Sequence, residues 1–478
     1  MRVKFTIFFT LLTFIGAKAQ DISGSWMGII PMGALKMHLV FNIKKTSDTS
    51  YSSTFDSIDQ KVFAIPCSKT YLVKDSLFIS VANITYKGLW DRKNDLTGIY
   101  KQGGHIIPLN LKAITADDKA ELITGPVRPQ TPKVPYGYYT EDVEYDNADK
   151  TLHYGATFTR PEGTGKYPAV IIITGSGTQD RDGTLFGHKL YWVLADYLTK
   201  NGIAVLRVDD RGAGKSTAGN NLATSTSEDF SYDVETSLNY LETRTDVDKK
   251  HLGLIGHSEG GIIAPMVAAR RKDVSFIVMW AGPELGGARI NTEQNAYSLK
   301  GAGIDSTSVK AFTGLHTKIL ALFSVFQTQE ALDQQITAVF EAWKKEQTPQ
   351  TLEALNVQSN SIVSQNIFAI YNGLYKLPWM RFFITYQPQV DLAKVKCPVL
   401  AVNGSKDTQV DAKSNLAEIK AVLTKSKNKD FETVEIPGLN HLLQNATTGD
   451  VSEYEKISET ISPAALKIIY DWIKLHTK

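Results

Sequence analysis

Short, almost wholly apolar runs constrain this chain more than any other feature. Ala169-Val170-Ile171-Ile172-Ile173, Ile203–Val208 and Leu252-Gly253-Leu254-Ile255 carry no polar alternation except at Arg207. Such runs mark strands buried on both faces. Segments with helical periodicity, His188–Lys200 and Glu228–Arg244, separate them. A helix over Gly260–Ala269 and a strand over Phe276–Trp280 continue the alternation. A β-α-β order of this kind predicts an α/β fold with a mostly parallel sheet covered by helices on both sides.

The alternation stops between residues 284 and 392. That stretch has helical segments (Ser308–Phe323, Glu330–Glu346) and scattered aromatics but no strong strand. It then resumes with Pro398–Val402, a helix near Ala412–Leu423, the strand Glu432–Ile436 and a last helix from Pro463. The interruption is too long for an ordinary loop. Residues 284–392 are therefore read as a helical cap inserted into a core formed by 140–283 and 393–478.

Ahead of the core, residues 20–115 read as a small all-β domain. Ala34–Ile43, Ser76–Val81, Leu96–Tyr100 and His105–Leu111 are separated by turn clusters at the spacing of an antiparallel sandwich or small barrel. Pro126, Pro129, Pro132 and Pro135 make 116–139 a stiff, extended linker. Residues 1–19 form a separate segment. Arg2 and Lys4 precede the apolar run Phe5–Gly16, and Ala17-Lys18-Ala19 supplies an A-x-A cleavage site. This is the pattern of a signal peptide and predicts export to the periplasm or the outside of the cell. The run is shorter than the about 20 residues a bilayer span needs.

Charge excludes one class of partner. The chain has 52 Lys plus Arg and 50 Asp plus Glu. Loss of residues 1–19 removes Arg2, Lys4 and Lys18 and leaves 49 basic against 50 acidic residues. A near-neutral chain carries no electrostatic footprint for nucleic acid. Cys67 and Cys397 lie in different predicted domains, so two free thiols are expected rather than a disulfide.

The strongest local signal is Gly256-His257-Ser258-Glu259-Gly260, between a predicted strand and a predicted helix. This is a G-x-S-x-G nucleophile elbow in its strand–turn–helix setting. Ser258 must occupy a sharp, strained turn for its hydroxyl to project above the sheet. The flanking glycines keep side chains out of the neighbouring backbone. A serine hydroxyl needs a base, and in this chain order the base follows an acid late in the sequence. His441, after the strand Glu432–Ile436, meets that requirement. His38, His105 and His153 precede the core strands, His316 lies in the cap, and His257 adjoins the serine itself. Asp407 follows the strand Val399–Val402 and is placed to orient the imidazole. Asp391, near the end of the cap, is the alternative acid.

An oxyanion hole needs two backbone N–H donors. One is expected at Glu259, directly after the nucleophile. The other is expected in Thr174-Gly175-Ser176-Gly177-Thr178, with Ser176 as the donor and Gly177 as its neighbouring alternative. The Glu259 side chain has two open roles, a hydrogen bond in the site or support of the helix N-terminus. Two other motifs fail. Gly212-Ala213-Gly214-Lys215-Ser216 resembles the end of a phosphate loop, but Asp209 stands where its first glycine belongs. Gly175-Ser176-Gly177 lacks the third glycine of a dinucleotide fingerprint, since position 180 is Asp180. No metal-ligand spacing appears, and no cofactor is expected.

Gly175–Gly183, Asp210–Ser216, the elbow at 256–260, Gly404–Val410 and Asn440-His441 together resemble the α/β-hydrolases. Within them the chain is most similar to bacterial secreted serine hydrolases, esterase or serine-aminopeptidase-like, that carry a β-rich domain ahead of the core. The resemblance covers 140–283 and 393–478 well and the cap weakly. It implies a small-molecule ester or acyl substrate and a Ser-His-Asp mechanism. Thr174 departs from the pattern, standing where many relatives have the histidine of a His-Gly oxyanion motif. The leading expectation is thus a carboxylic-ester hydrolase. The alternatives are a peptidase using the same triad and a non-catalytic binding protein.

Overall fold

The computed structural model describes residues 21–478 apart from 33–34, 48–49, 61, 103–104, 125–127, 326–327, 358–370 and 372. The signal sequence read over residues 1–19 lies outside the described residues. The chain divides into two compact units, the first ending at Pro126 and the second spanning Val127–Lys478.

The first unit is one antiparallel sheet. Its strands lie side by side in the order Val62–Pro66, Ser50–Ser57, Leu35–Ser47, Gly24–Met32, Leu111–Ile114, Asp95–Gln102, Ile84–Trp90, Ser76–Val81 and Lys69–Val73. His105–Pro108 pairs separately with Asp95–Gln102. Burial alternates along Ile84–Trp90, so Ile84, Tyr86 and Trp90 face a core that includes Trp26, Phe41, Phe55 and Leu77. The sheet curls as it goes. The Cys67 N–H donates to the Ser53 carbonyl at 3.0 Å, and the Ser53 and Thr70 hydroxyls are 2.6 Å apart. A half-barrel results, not two stacked sheets.

The segment read as an extended linker begins differently. Ala116–Thr124 is a helix, with Asp117 and Asp118 in its first turn. The Thr115 N–H and hydroxyl both donate to the Asp118 carboxylate, at 2.8 and 2.7 Å. The prolines that argued against a helix start only past its end.

The second unit is built on eight strands: β1 (Tyr139–Asp146), β2 (His153–Arg160), β3 (Tyr167–Ile173), β4 (Ala204–Val208), β5 (Val247–His257), β6 (Val274–Trp280), β7 (Val399–Gly404) and β8 (Phe431–Ile436). Their order is β1-β2-β4-β3-β5-β6-β7-β8. The pairs β1·β2 and β2·β4 are antiparallel, and every later pair is parallel. The chain thus has an α/β-hydrolase core with a mostly parallel sheet. Strand β5 starts earlier than the apolar run indicated. Val247 pairs with Tyr167 before a register shift, and the charged residues 248–250 conceal that extension in the sequence.

Strand residues alternate between two apolar layers, as a pleat requires. Ile171, Ile173, Leu254 and Met279 pack with α2 (Ser227–Thr243), α3 (Gly260–Arg270) and the later helix Ala412–Lys425. Val170, Ile172, Ile255 and Val278 face α1 (Leu190–Lys200) and the C-terminal helix Pro463–Leu475. The cap is helical and has its own core. Among the described residues its α-helices are α4 (Gly287–Gly301), α5 (Ser306–Leu322), α6 (Gln329–Glu346), α7 (Pro349–Ala354), α8 (Pro378–Thr385) and α9 (Pro388–Leu392). Leu315, Ile319, Ile336, Phe340, Trp343 and Met380 bury one another there. His316 is enclosed among them, with its ring nitrogens 2.6 Å from the Tyr371 hydroxyl and 2.8 Å from Asn291 Oδ1. Burial pushes its pKa down to about 4. Cys67 and Cys397 are both unpaired. Among the described residues, no helix is long and apolar enough to cross a membrane.

Glu284 lies where β6 gives way to the cap. It is fully buried, and among the described residues neither carboxylate oxygen has a hydrogen-bond partner. Burial, reinforced by Glu418 and Asp391, holds its pKa well above the usual carboxylate range. The folded chain therefore keeps this proton more tightly than the unfolded chain. Its stability is full below the ordinary glutamate pKa of about 4.3 and falls as pH rises through that value toward the folded pKa. Glu284→Gln should consequently raise Tm at pH 8 and leave it near the native value at pH 4. Equal Tm changes at both pH values would contradict this account.

Candidate active site

The site begins at the turn between β5 and α3. Ser258 there has φ +53°, a left-handed conformation that is costly for a non-glycine residue. Hydrogen bonds on both sides impose it. The Ser258 N–H donates to the Trp280 carbonyl at 2.8 Å, and the Gly261 N–H donates to the Ser258 carbonyl at 2.8 Å. The glycines are steric necessities. A Cβ on Gly256 would lie 1.9 Å from the Gly260 carbonyl oxygen, and one on Gly260 would lie 2.5 Å from that of Ile173. The turn leaves Ser258 half-buried above the sheet edge.

Two later strands deliver the acid and the imidazole. Asp407 sits in the loop after β7 and His441 in the loop after β8. His441 Nδ1 is 2.8 Å from Asp407 Oδ2, and both residues are buried. The other Asp407 oxygen accepts the N–H groups of Gln409 at 2.9 Å and Val410 at 2.8 Å. The carboxylate therefore has fixed donors on one side and the ring on the other. Asn440 tightens the His441 loop, since its Oδ1 accepts from the Leu442 and Gln444 N–H groups at 3.0 Å each. The Trp280 indole donates to the His441 carbonyl at 3.2 Å. Asp391 is in α9. It accepts from the Tyr386 hydroxyl and from Lys394, both at 2.8 Å, and makes no hydrogen bond to His441.

The loop after β3 packs against Ser258. A Cβ on Gly175 would meet Ser258 Cβ at 3.3 Å. Asp210 holds both ends of the loop, accepting from the Thr174 hydroxyl at 2.7 Å and the Gln179 N–H at 2.8 Å. Burial pushes the Asp210 carboxyl up to about 8 despite these two donors. The Gly175 N–H is consumed by the Tyr191 hydroxyl at 3.0 Å. Among the described residues the N–H groups of Ser176, Gly177 and Glu259 make no hydrogen bond.

Several neighbours of the site carried no local sequence signal. The Tyr191 hydroxyl on α1 reaches Gly175, Gln179 Oε1 at 3.1 Å and His257 Nδ1 at 3.2 Å. The His257 ring centroid lies 5.0 Å from that of His441. Burial and the nearby His441 push the His257 pKa well below the usual histidine range. The Glu259 side chain turns away from the helix it precedes and caps none of its N–H groups. Its Oε1 accepts from the Ser227 hydroxyl at 2.6 Å and the Trp379 indole at 2.8 Å. Of the two cap tryptophans, Trp343 is in the cap core and Trp379 reaches this carboxylate.

A cavity of about 510 Å³ opens beside the turn. The loop residues 174–178, Asp210, Phe230, Glu259, Ile263 and Trp379 contribute to its lining. Its basic lining residue, Arg211, is engaged by Asp233 through two hydrogen bonds of 2.6 and 2.7 Å. The phosphate-loop look-alike holds no phosphate cradle. Its Lys215 N–H donates instead to Asp209 at 2.9 Å, so the anion it wraps is the protein's own carboxylate. No three His, Cys, Asp or Glu side chains among the described residues gather as a metal ion would require.

Comparison with known proteins adds family context. Residues 188–306 match the family model described as "Serine aminopeptidase, S33". Esterase EstD of Thermotoga maritima is 28% identical over 176 residues, which cover 36% of this chain and 42% of that protein. The match thus spans about two fifths of the relative's length. Among solved structures, the Pyrococcus furiosus esterase Pf2001 covers 74% of this chain and 98% of its own at 14% identity and a TM-score of 0.41. Est1E from Butyrivibrio proteoclasticus, solved with ferulic acid bound, covers 68% and 94% at 17% identity and a TM-score of 0.39. With its mostly parallel core, its serine-bearing turn and the match of residues 188–306 to a hydrolase model of the S33 type, the chain is similar to the α/β-hydrolases.

Proposed function

We propose that this chain is a serine hydrolase that cleaves carboxylic esters through an acyl-enzyme on Ser258, His441 and Asp407. The observation that carries the reading is the 2.8 Å contact between His441 and Asp407, two buried side chains delivered by successive strand ends beside the strained serine turn. In this reading His441 takes the Ser258 proton as Oγ attacks the acyl carbonyl. It returns that proton to the departing alcohol oxygen. Water then attacks the acyl-serine and gives a proton to His441, which passes it to Ser258 Oγ as the acyl–oxygen bond breaks and the carboxylic acid leaves. Asp407 holds the proton-bearing Nδ1 and stabilises the imidazolium. The free N–H groups of Ser176 and Glu259 serve the oxyanion.

Esterase EstD supports the choice of ester as substrate class. A peptidase is the second reading, favoured by the description of the matched family model. Peptide cleavage also requires proton delivery to an amine and usually an anchor for a charged terminus, which ranks it below the ester. Export to the periplasm or beyond is part of the proposal and is supported by the sequence of residues 1–19.

A panel that sets short-acyl p-nitrophenyl esters beside aminoacyl amides tests the substrate class. Turnover of the esters is expected, and turnover of the amides alone would overturn it. The site assignment predicts that Ser258→Ala abolishes ester turnover with the fold intact. Asp407→Asn should lower kcat/KM by as much as about 10⁴-fold. Asp391→Asn should change it little, because that carboxylate is engaged by Tyr386 and Lys394. A severe loss at Asp391 with near-normal activity at Asp407 would reassign the acid.

A further inference from the structure

A loop aims a backbone donor only if the peptide units on either side of it are held. Two side chains outside the proposed triad hold them at Ser176. The Gly175 N–H donates to the Tyr191 hydroxyl at 3.0 Å, and the Ser176 carbonyl accepts from Gln179 Nε2 at 3.3 Å. The Ser176 N–H belongs to the peptide unit between these two contacts. Tyr191 is a fixed post for the first of them. Its side chain is buried, and a Cβ on Gly183 would lie only 2.5 Å from its ring. Its N–H donates to the Asp182 carbonyl at 3.0 Å. Gln179 is fixed at its backbone, where its N–H donates to Asp210 at 2.8 Å.

The two side chains also hold each other, and the direction of every bond follows from the protons present. The Ser176 carbonyl can only accept, so the Gln179 amide nitrogen faces it and the amide oxygen faces Tyr191. That oxygen also only accepts, so the Tyr191 hydroxyl spends its one proton on Gln179 Oε1 at 3.1 Å. The hydroxyl oxygen keeps two acceptor sites. The Gly175 N–H fills one, and His257 Nδ1, 3.2 Å away, fills the other as the proton-bearing nitrogen of its ring. Burial favours the neutral form of both the phenol and the His257 ring, which is the state this pattern needs. A phenylalanine at 191 would keep the ring and lose all three bonds.

We propose that Tyr191 and Gln179 are positioning residues that act as one relay, His257–Tyr191–Gln179–Ser176, to aim the Ser176 N–H at the oxyanion. This inference rests on the acyl-enzyme reading of Ser258 with Ser176 as an oxyanion donor. The relay starts at His257, the residue before the nucleophile, and ends on the loop after β3. It therefore ties the loop to the elbow, so that donor and nucleophile keep one spacing. The oxyanion develops only as Ser258 attacks, so the relay is read in kcat and hardly in KM.

The test is steady-state kinetics on a p-nitrophenyl ester, with active sites counted by a fluorophosphonate reacted to completion. Tyr191→Phe and Gln179→Met should each lower kcat per titrated site about tenfold, with KM little changed. The double variant should be little worse than either single one, because breaking the relay at one point already releases the loop. Inhibition by a trifluoromethyl ketone, which forms an oxyanion on the serine, should weaken in step with kcat. Binding of the matching methyl ketone, which stays unattacked, should not. A purely structural role would lower Tm and leave kcat per titrated site and the two ketones unchanged. That result, a native kcat in either single variant, or losses that multiply in the double variant would overturn the proposal. If Tyr191→Phe does not fold, the half-buried Gln179 decides through kcat and the ketone pair in Gln179→Met. Absence of any fluorophosphonate reaction in the native chain would instead remove the acyl-enzyme reading on which the inference stands.

Discussion

The left-handed turn at Ser258 is the constraint on which the rest of the site depends. A non-glycine residue in that conformation costs on the order of 1–3 kcal/mol and persists only where its surroundings over-determine it. Here they do. Strand β6 fixes the Ser258 N–H, α3 fixes its carbonyl, and backbone occupies the space that side chains at 256 and 260 would need. The parallel sheet thus acts as a clamp. It forces one polar side chain upward at the ends of the strands, where the loops after β3, β7 and β8 also emerge.

Around that turn the sheet gathers groups of differing character. Asp407 is satisfied by two backbone donors and the His441 ring. His257, with its ring only 5.0 Å from that of His441, is kept neutral by burial. It therefore adds no competing positive charge when His441 becomes cationic in the proposed mechanism. Asp210 and Glu259 are both pushed toward the protonated form by burial. Their hydrogen bonds go to the loop after β3 and to the cap, so these acids organise the site's framework. The cap is consequently tied, through Trp379, to Glu259, the residue that follows Ser258.

How much of this was legible in the sequence follows from the range of the interactions. The core strands were readable because burial on both faces demands continuous apolar runs at β3 and β5. The elbow was readable because its steric demands are met within five residues. Asp407 and His441 were readable as candidates because strand order alone puts the loops after β7 and β8 near the elbow. The early start of β5 was hidden by Asp248, Lys249 and Lys250, which give no apolar signal. The helix Ala116–Thr124 was masked by the prolines that follow it, since its first turn is closed by Thr115 and Asp118. Neither role weighed for the Glu259 side chain pointed to Trp379. That bond spans 120 residues and exists only once the cap has folded. Tyr191 was invisible for the same reason, as its hydroxyl finds Gly175 and His257 only through the packing of α1.

The most direct test of the central claim is to trap the acyl-enzyme. The protein is mixed with an activated ester, quenched in acid during turnover, and analysed as intact protein and as peptides by mass spectrometry. The account predicts a single added acyl group, located on the peptide bearing Ser258 and absent from Ser258→Ala. An acyl group on another residue, or ester turnover with no covalent adduct on Ser258 under conditions where deacylation is slow, would contradict it.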